Sequence, residues 1–312
     1  MHVTIRVIAL LLVPLILLVL PGSAPASGRI IGALLTSDLA RYREAHRQML
    51  KVLAARGLAA SSEIIVQTPN PDPQSWGNSI RKLMAYGADI IVAYGAPAVA
   101  AALKEGDGVP VVAADAVLPE GAASNDLCGI SARVPMVTLL RVLEGVKHLQ
   151  HIGVLYNSHE VGSLRQRDEL RRAARQMNIT LVEMNATTAG AVEPATATLL
   201  GKVGGLIVTE SSVICRHFDR IAARSRHAGV LLATTLPGGA ERGALVSLEI
   251  SPTEQGEVAG LMTVRLLEGA HPAQLGVASP RRIELALNLK VARALETTIP
   301  FQVLSIATRI YQ

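Results

Sequence analysis

A short polar loop at residues 157–160 separates an apolar run from a helical pattern and carries groups that could bind a small charged molecule. The apolar run 152–156 has the length of a buried parallel strand. The first N–H groups of a helix have no partner within it and lie at the positive end of its dipole, so a carboxylate or phosphate placed there meets free donors. The candidate ligand-binding residues of this loop and helix start are Asn157, Ser158, Glu160 and Ser163. The alternative is that they only cap the helix.

Polar residues follow other predicted strands in the same way. Thr209, Glu210 and Ser211 follow residues 205–208, and Asp115 is expected in the loop after a strand at 109–113. Loops at the carboxyl ends of parallel strands face one crevice, so we expect these residues to line it. Asp115 or Glu210 would then pair with a ligand ammonium group. The alternatives are a hydrogen-bonded turn for Asp115 and a structural arginine partner for Glu210.

Two further loops complete the predicted crevice. Ser37 lies in the loop after a strand at 30–35. The segment Ala96-Pro97-Ala98 begins an alanine-rich helix and offers only backbone donors, which suit an oxyanion. Tyr42 and Tyr94 are near these loops and could stack on a ligand, although packing in the core or at the rim is the simpler interpretation.

The elements that must position these loops alternate along the chain. Apolar runs typical of strands recur with intervening helical patterns of 10 to 15 residues, which predicts a mainly parallel α/β fold. The alternation restarts at residue 152, so two series of about 100 residues predict two similar lobes. The predicted strands are 30–35, 63–67, 89–94, 109–113, 152–156, 179–184, 205–208, 230–233, 244–248 and 283–288.

Composition agrees with this fold class and argues against several functions. The 312 residues are 50% hydrophobic but only 3% aromatic, so aliphatic side chains must form the core. The net charge is +5, with a local basic cluster between Arg165 and Arg175. No nucleic-acid-binding motif accompanies the cluster, which favours a solvated helix face.

Residues 1–26 have the features of a secretory signal peptide. Arg6 precedes an apolar run at 7–20, which is short for a membrane span, and Ala24-Pro25-Ala26 has the form of a cleavage site. Cleavage before Ser27 would leave a periplasmic chain of net charge +4; an uncleaved anchor is the alternative. The two cysteines, Cys128 and Cys215, are expected to be buried free thiols rather than a disulfide.

The sequence contains no recognisable catalytic or metal site. His148 and His151 lack accompanying Cys or carboxylate ligands, and no nucleophile elbow or phosphate loop is present. We therefore expect no enzyme activity, no metal and no cofactor.

Four segments taken together resemble one known family. They are 284–300, the strand and loop 88–98, the loop 151–163, and the helix end 267–272. Their order and spacing are similar to those of ABC-transporter substrate-binding proteins of the tryptophan/tyrosine-binding type. The resemblance covers roughly residues 29–310.

The resemblance implies the type I periplasmic-binding-protein fold: two Rossmann-like lobes with parallel sheets, joined by a three-stranded hinge. The N-terminal lobe would contain residues 27–132 and about 253–279, and the C-terminal lobe 133–252 and about 280–312. The crossovers would lie near 131–134, 250–252 and 279–282.

The resemblance also implies a function. A monomer would bind a small ligand, an amino acid or related carboxylate, and deliver it to an ABC permease in the membrane. The alternatives are a receptor of the same fold that presents its ligand to a sensor kinase, and an enzyme on a related fold. Ala96 and the segment 248–251 depart from the family pattern, which removes a hydroxyl and an aromatic residue from the expected site.

Overall fold

The computed structural model describes residues 28–122 and 124–312. The predicted signal peptide at 1–26 lies outside the described residues. Within the described part of the chain, no helix combines the length and the apolar character needed to cross a bilayer. Cys128 and Cys215 are free and buried, as predicted.

The strands are as follows: β1 Arg29–Leu35, β2 Ser62–Gln67, β3 Ile90–Tyr94, β4 Val111–Ala116, β5 Leu127–Ser131, β6 His151–Tyr156, β7 Thr180–Asn185, β8 Gly205–Val208, β9 Leu231–Thr234, β10 Val246–Ile250, β11 Val277–Ala278, β12 Ile283–Asn288 and β13 Arg309–Tyr311.

The helices are as follows: α1 Ala40–Ala55, α2 Pro73–Ala85, α3 Ala96–Glu105, α4 Met136–Val146, α5 Val161–Gln176, α6 Ala189–Leu200, α7 Ser212–Cys215, α8 Phe218–His227, α9 Pro252–Leu267, α10 Pro272–Leu275, α11 Leu289–Ala294 and α12 Phe301–Ser305.

Lobe 1 is built on a six-stranded sheet with the order β11-β5-β4-β3-β1-β2, all of whose pairs are parallel. Its central strands β3 and β4 are buried along their whole length, as continuous aliphatic runs require. On one face, α1 and α9 pack against each other and against the sheet. On the other face, α2 and α3 cover a second cluster that includes Trp76 and Ile80.

Lobe 2 is built on a seven-stranded sheet with the order β13-β12-β10-β9-β8-β6-β7. Its pairs are parallel except β10 with β12, which is antiparallel. One face packs against α4 and α5, and the other packs against α6 and α8. The result is a second α/β layer structure that repeats the plan of lobe 1.

The chain passes between the two sheets three times. The passages lie between β5 and α4, between β10 and α9, and between β11 and β12. Consequently α9, α10 and β11 return to lobe 1, and the last two strands belong to lobe 2. Three separate connections constrain how the lobes can move, while leaving a hinge about which they can open.

Most predicted elements occur within two residues of their observed bounds, but some differ. β4 extends to Ala116 and therefore includes Asp115, which was expected in a loop. β10 begins and ends two residues later than predicted, which is the limit of that agreement. Helix α4 was not predicted from the sequence, although Met136, Leu139, Leu140 and Leu143 recur at helical spacing and are buried.

Candidate functional site

The carboxyl ends of both sheets meet at one interface, where the lobes touch through polar loops. Ser37 Oγ, after β1, lies 3.0 Å from Ser212 Oγ at the start of α7. Nearby, the Arg216 guanidinium donates to Asp38 Oδ1 at 2.6 Å. The structure is thus a closed arrangement of the lobes, with candidate residues from both lobes at their junction.

A buried charged centre lies at this junction. Arg41, in the first turn of α1, donates from Nε to Asp115 Oδ2 at 2.5 Å and from Nη2 to Oδ1. Arg41 Nη2 also lies 3.9 Å from Glu210 Oε2 of lobe 2. Burial would lower the pKa of Arg41, but its pairing with Asp115 raises it well above the ordinary value. Arg41 therefore remains charged and joins the acids of both lobes.

Asp115 is held in an unusual backbone conformation within β4. Its φ is +50°, and the pairing of β4 with β5 shifts register between Ala113 and Ala116. Its N–H donates to Gln255 Oε1 of α9 at 2.8 Å. This bulge turns the Asp115 carboxylate toward Arg41, because a bulge re-aims the side chain that it carries. Asp115 occupies the junction, although as part of the strand and already paired with an arginine.

Within the buried charged centre, Glu210 is the carboxylate that has no close hydrogen-bond donor. It is 6% exposed. Its own N–H donates to Gln166 Oε1, but among the described residues no hydrogen-bond donor reaches its carboxylate oxygens. Burial raises the pKa of Glu210 to about 8; the nearby Asp115 and Glu160 add to the rise, and Arg41 opposes it. Glu210 is thus a buried acid with free acceptor positions at the lobe junction.

Glu160, in contrast, is fully engaged within lobe 2. Its Oε1 accepts hydrogen bonds from Asn157 Nδ2 at 2.9 Å and Ser211 Oγ at 2.6 Å, and its Oε2 accepts one from the Ser212 N–H at 2.9 Å. Burial raises the pKa of Glu160, although these bonds oppose the rise. Glu160 therefore ties the loop after β6 to the loop after β8 and positions α7.

The remaining candidates of lobe 2 brace the same loops. Ser163 Oγ accepts from the Asn157 N–H at 2.9 Å and lies 2.6 Å from Thr209 Oγ1. Ser158 bonds Asn185 at the outer edge, away from the charged centre. In this closed form, hydrogen bonds within the predicted polar loop, to Asn185 at the end of β7 and to Thr209 after β8 hold the loop in place.

Ala96, Pro97 and Ala98 form the first turn of α3 on the lobe 1 side of the junction. The Ala98 N–H donates to Thr36 Oγ1 at 3.3 Å, so a threonine hydroxyl already occupies this donor. The Trp76 Nε1–H donates to the Thr36 carbonyl at 2.8 Å. The start of α3 is therefore partly satisfied by its own lobe.

Gly162 brings α5 of lobe 2 directly against α3 of lobe 1. A Cβ added at Gly162 would lie 1.9 Å from Glu210 Oε1 and 3.1 Å from the Ala96 Cβ. The absence of a side chain at Gly162, and the single methyl of Ala96, thus permit the lobes to meet around the Glu210 carboxylate. Ala96 is a contact residue between lobes.

A cavity of about 200 Å³ opens beside this contact. Trp76, Pro97 and Ala101 of lobe 1 and His159 and Val161 of lobe 2 form part of its lining. Because both lobes contribute to the wall, the cavity is complete only when they are closed. The pocket is open to solvent, and Lys104 and Glu105 also line it.

Several residues of the junction were not predicted, namely Arg41, Gln166, Gln255, Thr36 and Ser212. Three of them share a signal in the sequence. Arg41, Gln166 and Gln255 each project from the buried face of a helix, four residues before Ala45, Leu170 and Ala259. A long polar side chain at a core-facing position of an amphipathic helix indicates a buried polar partner.

Within residues 28–122 and 124–312, no group of three or more His, Cys, Asp or Glu side chains has a geometry that could hold a metal ion. The junction instead offers carboxylates, a guanidinium, hydroxyls and helix N–H groups, which suit a small organic ligand with charged ends.

Comparison with known proteins identifies the family and the fold. A model of the family described as ABC transporter substrate binding protein matches residues 41–311. The Tyrosine-binding protein of Clostridioides difficile (strain R20291) is 25% identical over 264 residues, covering 81% of this chain and 76% of that protein.

Solved structures share the fold. An ABC domain from Streptococcus pneumonia in complex with L-Trp superposes with a TM-score of 0.84 at 22% identity, covering 91% of this chain and all of that one. The ligand-free, open form of a substrate-binding protein with adhesive properties from Clostridium difficile gives 0.65 at 21% identity, covering 91% and 99%. These likenesses confirm the predicted type I periplasmic-binding-protein fold.

Proposed function

We propose that this chain, which belongs to the family of ABC transporter substrate-binding proteins, captures an amino acid between its two lobes for delivery to a membrane permease. The chain is a solute-binding protein by family, and the family resemblance read from the sequence is confirmed. We assign residues 27–132 and about 253–279 to lobe 1, and residues 133–252 and about 280–312 to lobe 2.

The observation that carries the proposal is the charged centre shared by the lobes. Lobe 1 supplies Arg41 and Asp115, and lobe 2 supplies Glu210 with its free carboxylate oxygens. A buried carboxylate without donors is unfavourable unless a cation reaches it. The ammonium group of an amino acid has the charge and the donors to bind Glu210.

The ligand carboxylate would bind at the start of α5. The N–H groups of its first turn have no partner within the helix, and the helix dipole favours an anion there. This turn adjoins Glu210 through Gly162. A zwitterion could therefore place its ammonium group on Glu210 and its carboxylate at the helix start.

An aromatic side chain is the best-supported choice for the ligand. Two relatives are described as tyrosine-binding and as a complex with L-Trp. The cavity of about 200 Å³ beside the junction has the size for one ring and includes Trp76 in its wall. The aromatic residue that the segment 248–251 lacks would thus be replaced by one from α2.

The setting of this activity follows from the family and from the first 26 residues. Their secretory pattern favours export to the periplasm, where substrate-binding proteins meet their permeases. Closure of two lobes around a ligand needs no second subunit, so we propose that the protein acts as a monomer.

The test is a thermal-shift and calorimetric screen of residues 27–312 against the standard amino acids. An amino acid at about 100 times its dissociation constant should stabilise the closed protein by about 2.7 kcal/mol. We expect L-tyrosine or L-tryptophan to give the largest shift. The absence of stabilisation by any amino acid would contradict the proposal.

A pair of variants tests the location of the site. Trp76→Ala should weaken binding of L-tyrosine by tenfold or more, since the wall of the cavity is lost. Tyr86→Ala, a change at an exposed aromatic residue at the end of the same helix, should leave the affinity unchanged. Equal affinity in the two variants would place the ligand elsewhere.

A further inference from the structure

Gln255, the fourth residue of α9, is a fully buried polar side chain. Its Oε1 accepts a hydrogen bond from the Asp115 N–H at 2.8 Å, and its Nε2 donates to the Ser131 carbonyl at 3.3 Å. Both ends of the amide are therefore engaged by backbone groups of lobe 1. A buried amide with these two partners holds two stretches of backbone at a fixed separation.

The two groups that Gln255 joins belong to the charged centre and to the hinge. Asp115 carries the carboxylate that accepts both hydrogen bonds from Arg41. Ser131 is the last residue of β5, where the chain leaves lobe 1 by its first passage. Gln255 itself follows the second passage, since α9 begins at Pro252. One side chain thus connects the charged centre to two of the three passages between the lobes.

The residue before Gln255 reaches the third passage. Glu254 Oε1 accepts a hydrogen bond at 2.9 Å from the N–H of Arg281, which lies between β11 and β12. The Glu254 N–H donates to Ser251 Oγ, which caps the start of α9, at 3.3 Å. The first turn of α9 therefore contacts all three passages of the hinge, and Gln255 is the residue of that turn that extends into the charged centre.

Asp115 needs more support than an ordinary strand residue. Its φ is +50°, which is uncommon for residues other than glycine, and the pairing of β4 with β5 shifts register at this point. A bulge disrupts the regular ladder, and here the Asp115 N–H bonds Gln255 instead. Loss of the amide would deprive a buried N–H of this acceptor, which is unfavourable. The bulge would then relax, and the direction of the Asp115 carboxylate would change with it.

Lobe 2 has a similar arrangement without the connection to the hinge. Gln166 Oε1 of α5 accepts a hydrogen bond from the Glu210 N–H at 2.7 Å. Gln166 Nε2 donates to Thr235 Oγ1, after β9 of the same lobe, at 3.1 Å. A buried glutamine thus supports the backbone of one acid in each lobe. Of the two glutamines, Gln255 is the one whose second hydrogen bond reaches a passage between the lobes.

We propose that Gln255 is a positioning residue of the binding site, which fixes the Arg41–Asp115 pair from the side of the hinge and so sets the affinity for a ligand that it does not touch. The proposal rests on the proposed function for the identity of the ligand, whereas its geometric part concerns the protein alone. Because Gln255 acts through Asp115, the effect of its loss on binding should largely disappear once the Asp115 carboxylate is absent.

Hydrogen exchange and NMR of ligand-free residues 27–312 test the geometry. Gln255→Met has nearly the length of the wild-type side chain and no amide. We expect the Asp115 N–H to exchange about tenfold faster or more, because it loses a buried acceptor. The Arg41 Nε–H resonance should shift or broaden as the carboxylate turns away. The Gly95 N–H, which donates to the carbonyl of the neighbouring residue Ala114, should keep its wild-type exchange rate.

Gln255→Asn provides a second variant, which keeps the amide but is one methylene shorter. It cannot span both partners of Gln255, so its Asp115 N–H should also exchange faster than in the wild type. Wild-type exchange of the Asp115 N–H and an unchanged Arg41 resonance in both variants would contradict the proposal.

Thr263→Val is the matched control, because it removes a different buried hydrogen bond from the same helix. Thr263 Oγ1 donates to the Ala259 carbonyl at 2.8 Å, about two turns beyond Gln255. This variant should keep the wild-type signals of Asp115 and Arg41 and the wild-type affinity for L-tyrosine. Equal changes in Gln255→Met and Thr263→Val would show a general loosening of α9 and would contradict the specific role of Gln255.

Calorimetry with L-tyrosine tests whether Gln255 acts through Asp115. Gln255→Met should weaken binding about tenfold or more in the wild-type background. In the Asp115→Asn background the same change should weaken binding by less than about threefold, because the carboxylate that Gln255 positions is no longer present. Equal effects in the two backgrounds would contradict the proposal, since independent contributions add.

The two proposals fail in different ways. Selective changes at Asp115 and Arg41 in Gln255→Met, without binding of any amino acid to the wild type, would support the positioning role and contradict the choice of ligand. Wild-type affinity for L-tyrosine in Gln255→Met would leave the proposed function intact and contradict the role of Gln255.

Discussion

Arg41 and Asp115 form a pair that belongs to lobe 1 alone. Arg41 is 7% exposed and Asp115 is fully buried, and the guanidinium contacts both carboxylate oxygens. Such a pair contributes little net stability relative to apolar residues, but breaking it leaves a buried charge uncompensated. The pair also fixes the direction of Arg41, so that Glu210 remains available to a ligand.

Removal of the Asp115 charge tests how much the stability of the protein depends on the Arg41–Asp115 pair. Asp115→Asn keeps a residue that tolerates positive φ, so the backbone of the bulge is preserved. We expect the free energy of unfolding to fall by about 3 kcal/mol, because Arg41 loses its carboxylate. Urea denaturation measures the loss.

The matched control is Asp126→Asn, an exposed aspartate of the same lobe, which should change the free energy of unfolding by less than about 0.5 kcal/mol. A loss below about 1 kcal/mol in Asp115→Asn would mean that Arg41 finds another partner, of which Glu210 is the nearest.

Helices α1 and α9 are brought together by two glycines. A Cβ at Gly256 would lie 2.0 Å from the Ala45 carbonyl oxygen, and one at Gly260 would lie 2.7 Å from the Val52 Cβ. This close approach of backbones places Gln255 where it bonds the Asp115 N–H. The packing of two helices therefore sets the position of a residue in the site.

A methyl group at this contact should be unfavourable despite the helix preference for alanine. Gly256→Ala gains up to about 1 kcal/mol of helix propensity. It must also separate α9 from the rigid carbonyl of Ala45, so we expect a net loss of about 2 kcal/mol in the free energy of unfolding. Thermal or urea unfolding provides the measurement.

Gly145→Ala in α4 is the companion to that variant. Its added Cβ would meet only a methyl of Val303 at 3.2 Å, which can shift by a few tenths of an ångström. We expect a change of less than about 1 kcal/mol. If both glycine variants lost the same stability, the tight contact between α1 and α9 would not be the cause.

Under the proposed function, the two lobes would form one binding site only when they are closed. Contacts across the junction include apolar ones, of Leu39 with the core of lobe 2 and of Val161 with that of lobe 1. The exposed pair Asp38–Arg216 contributes little by itself. A ligand that binds both lobes is therefore expected to dominate the free energy of closure.

Gly162 is the position at which closure should be most easily blocked. Gly162→Ala would bring its methyl against Ala96 of lobe 1 only when the lobes meet, and against the Glu210 carboxylate of its own lobe in either state. We expect each lobe to remain folded, while the affinity for L-tyrosine falls at least tenfold and the ligand no longer reduces the radius of gyration. Calorimetry and scattering report these two effects.

Gly190→Ala is closely matched to this change, since Gly190 is also the second residue of a lobe 2 helix and has nothing within 4 Å of its added Cβ. It should bind as the wild type and gain slightly in stability. Wild-type affinity in Gly162→Ala would show that the lobes close less tightly in solution than in this structure.

The sequence by itself determined the alternation of strands and helices and the chemistry of most loops at the junction. Runs of Ile, Val, Leu and Ala predicted β3, β6 and β8 to within one residue, because a strand buried on both faces must be largely apolar. It also indicated Glu210 and Glu160, since polar residues that follow such strands reach the carboxyl edge of a sheet.

Only the tertiary structure decided how those residues divide their roles. Asp115 was expected in a loop because aspartate is unfavourable in strands, yet Gln255 of a helix 140 residues away supports it within β4. Arg41 joins Asp115 across 74 residues, and Ser37 meets Ser212 across 175. The local pattern of the sequence does not show which residues far apart in the chain come into contact. Burial and charge pairing depend on which surfaces the folded chain brings together.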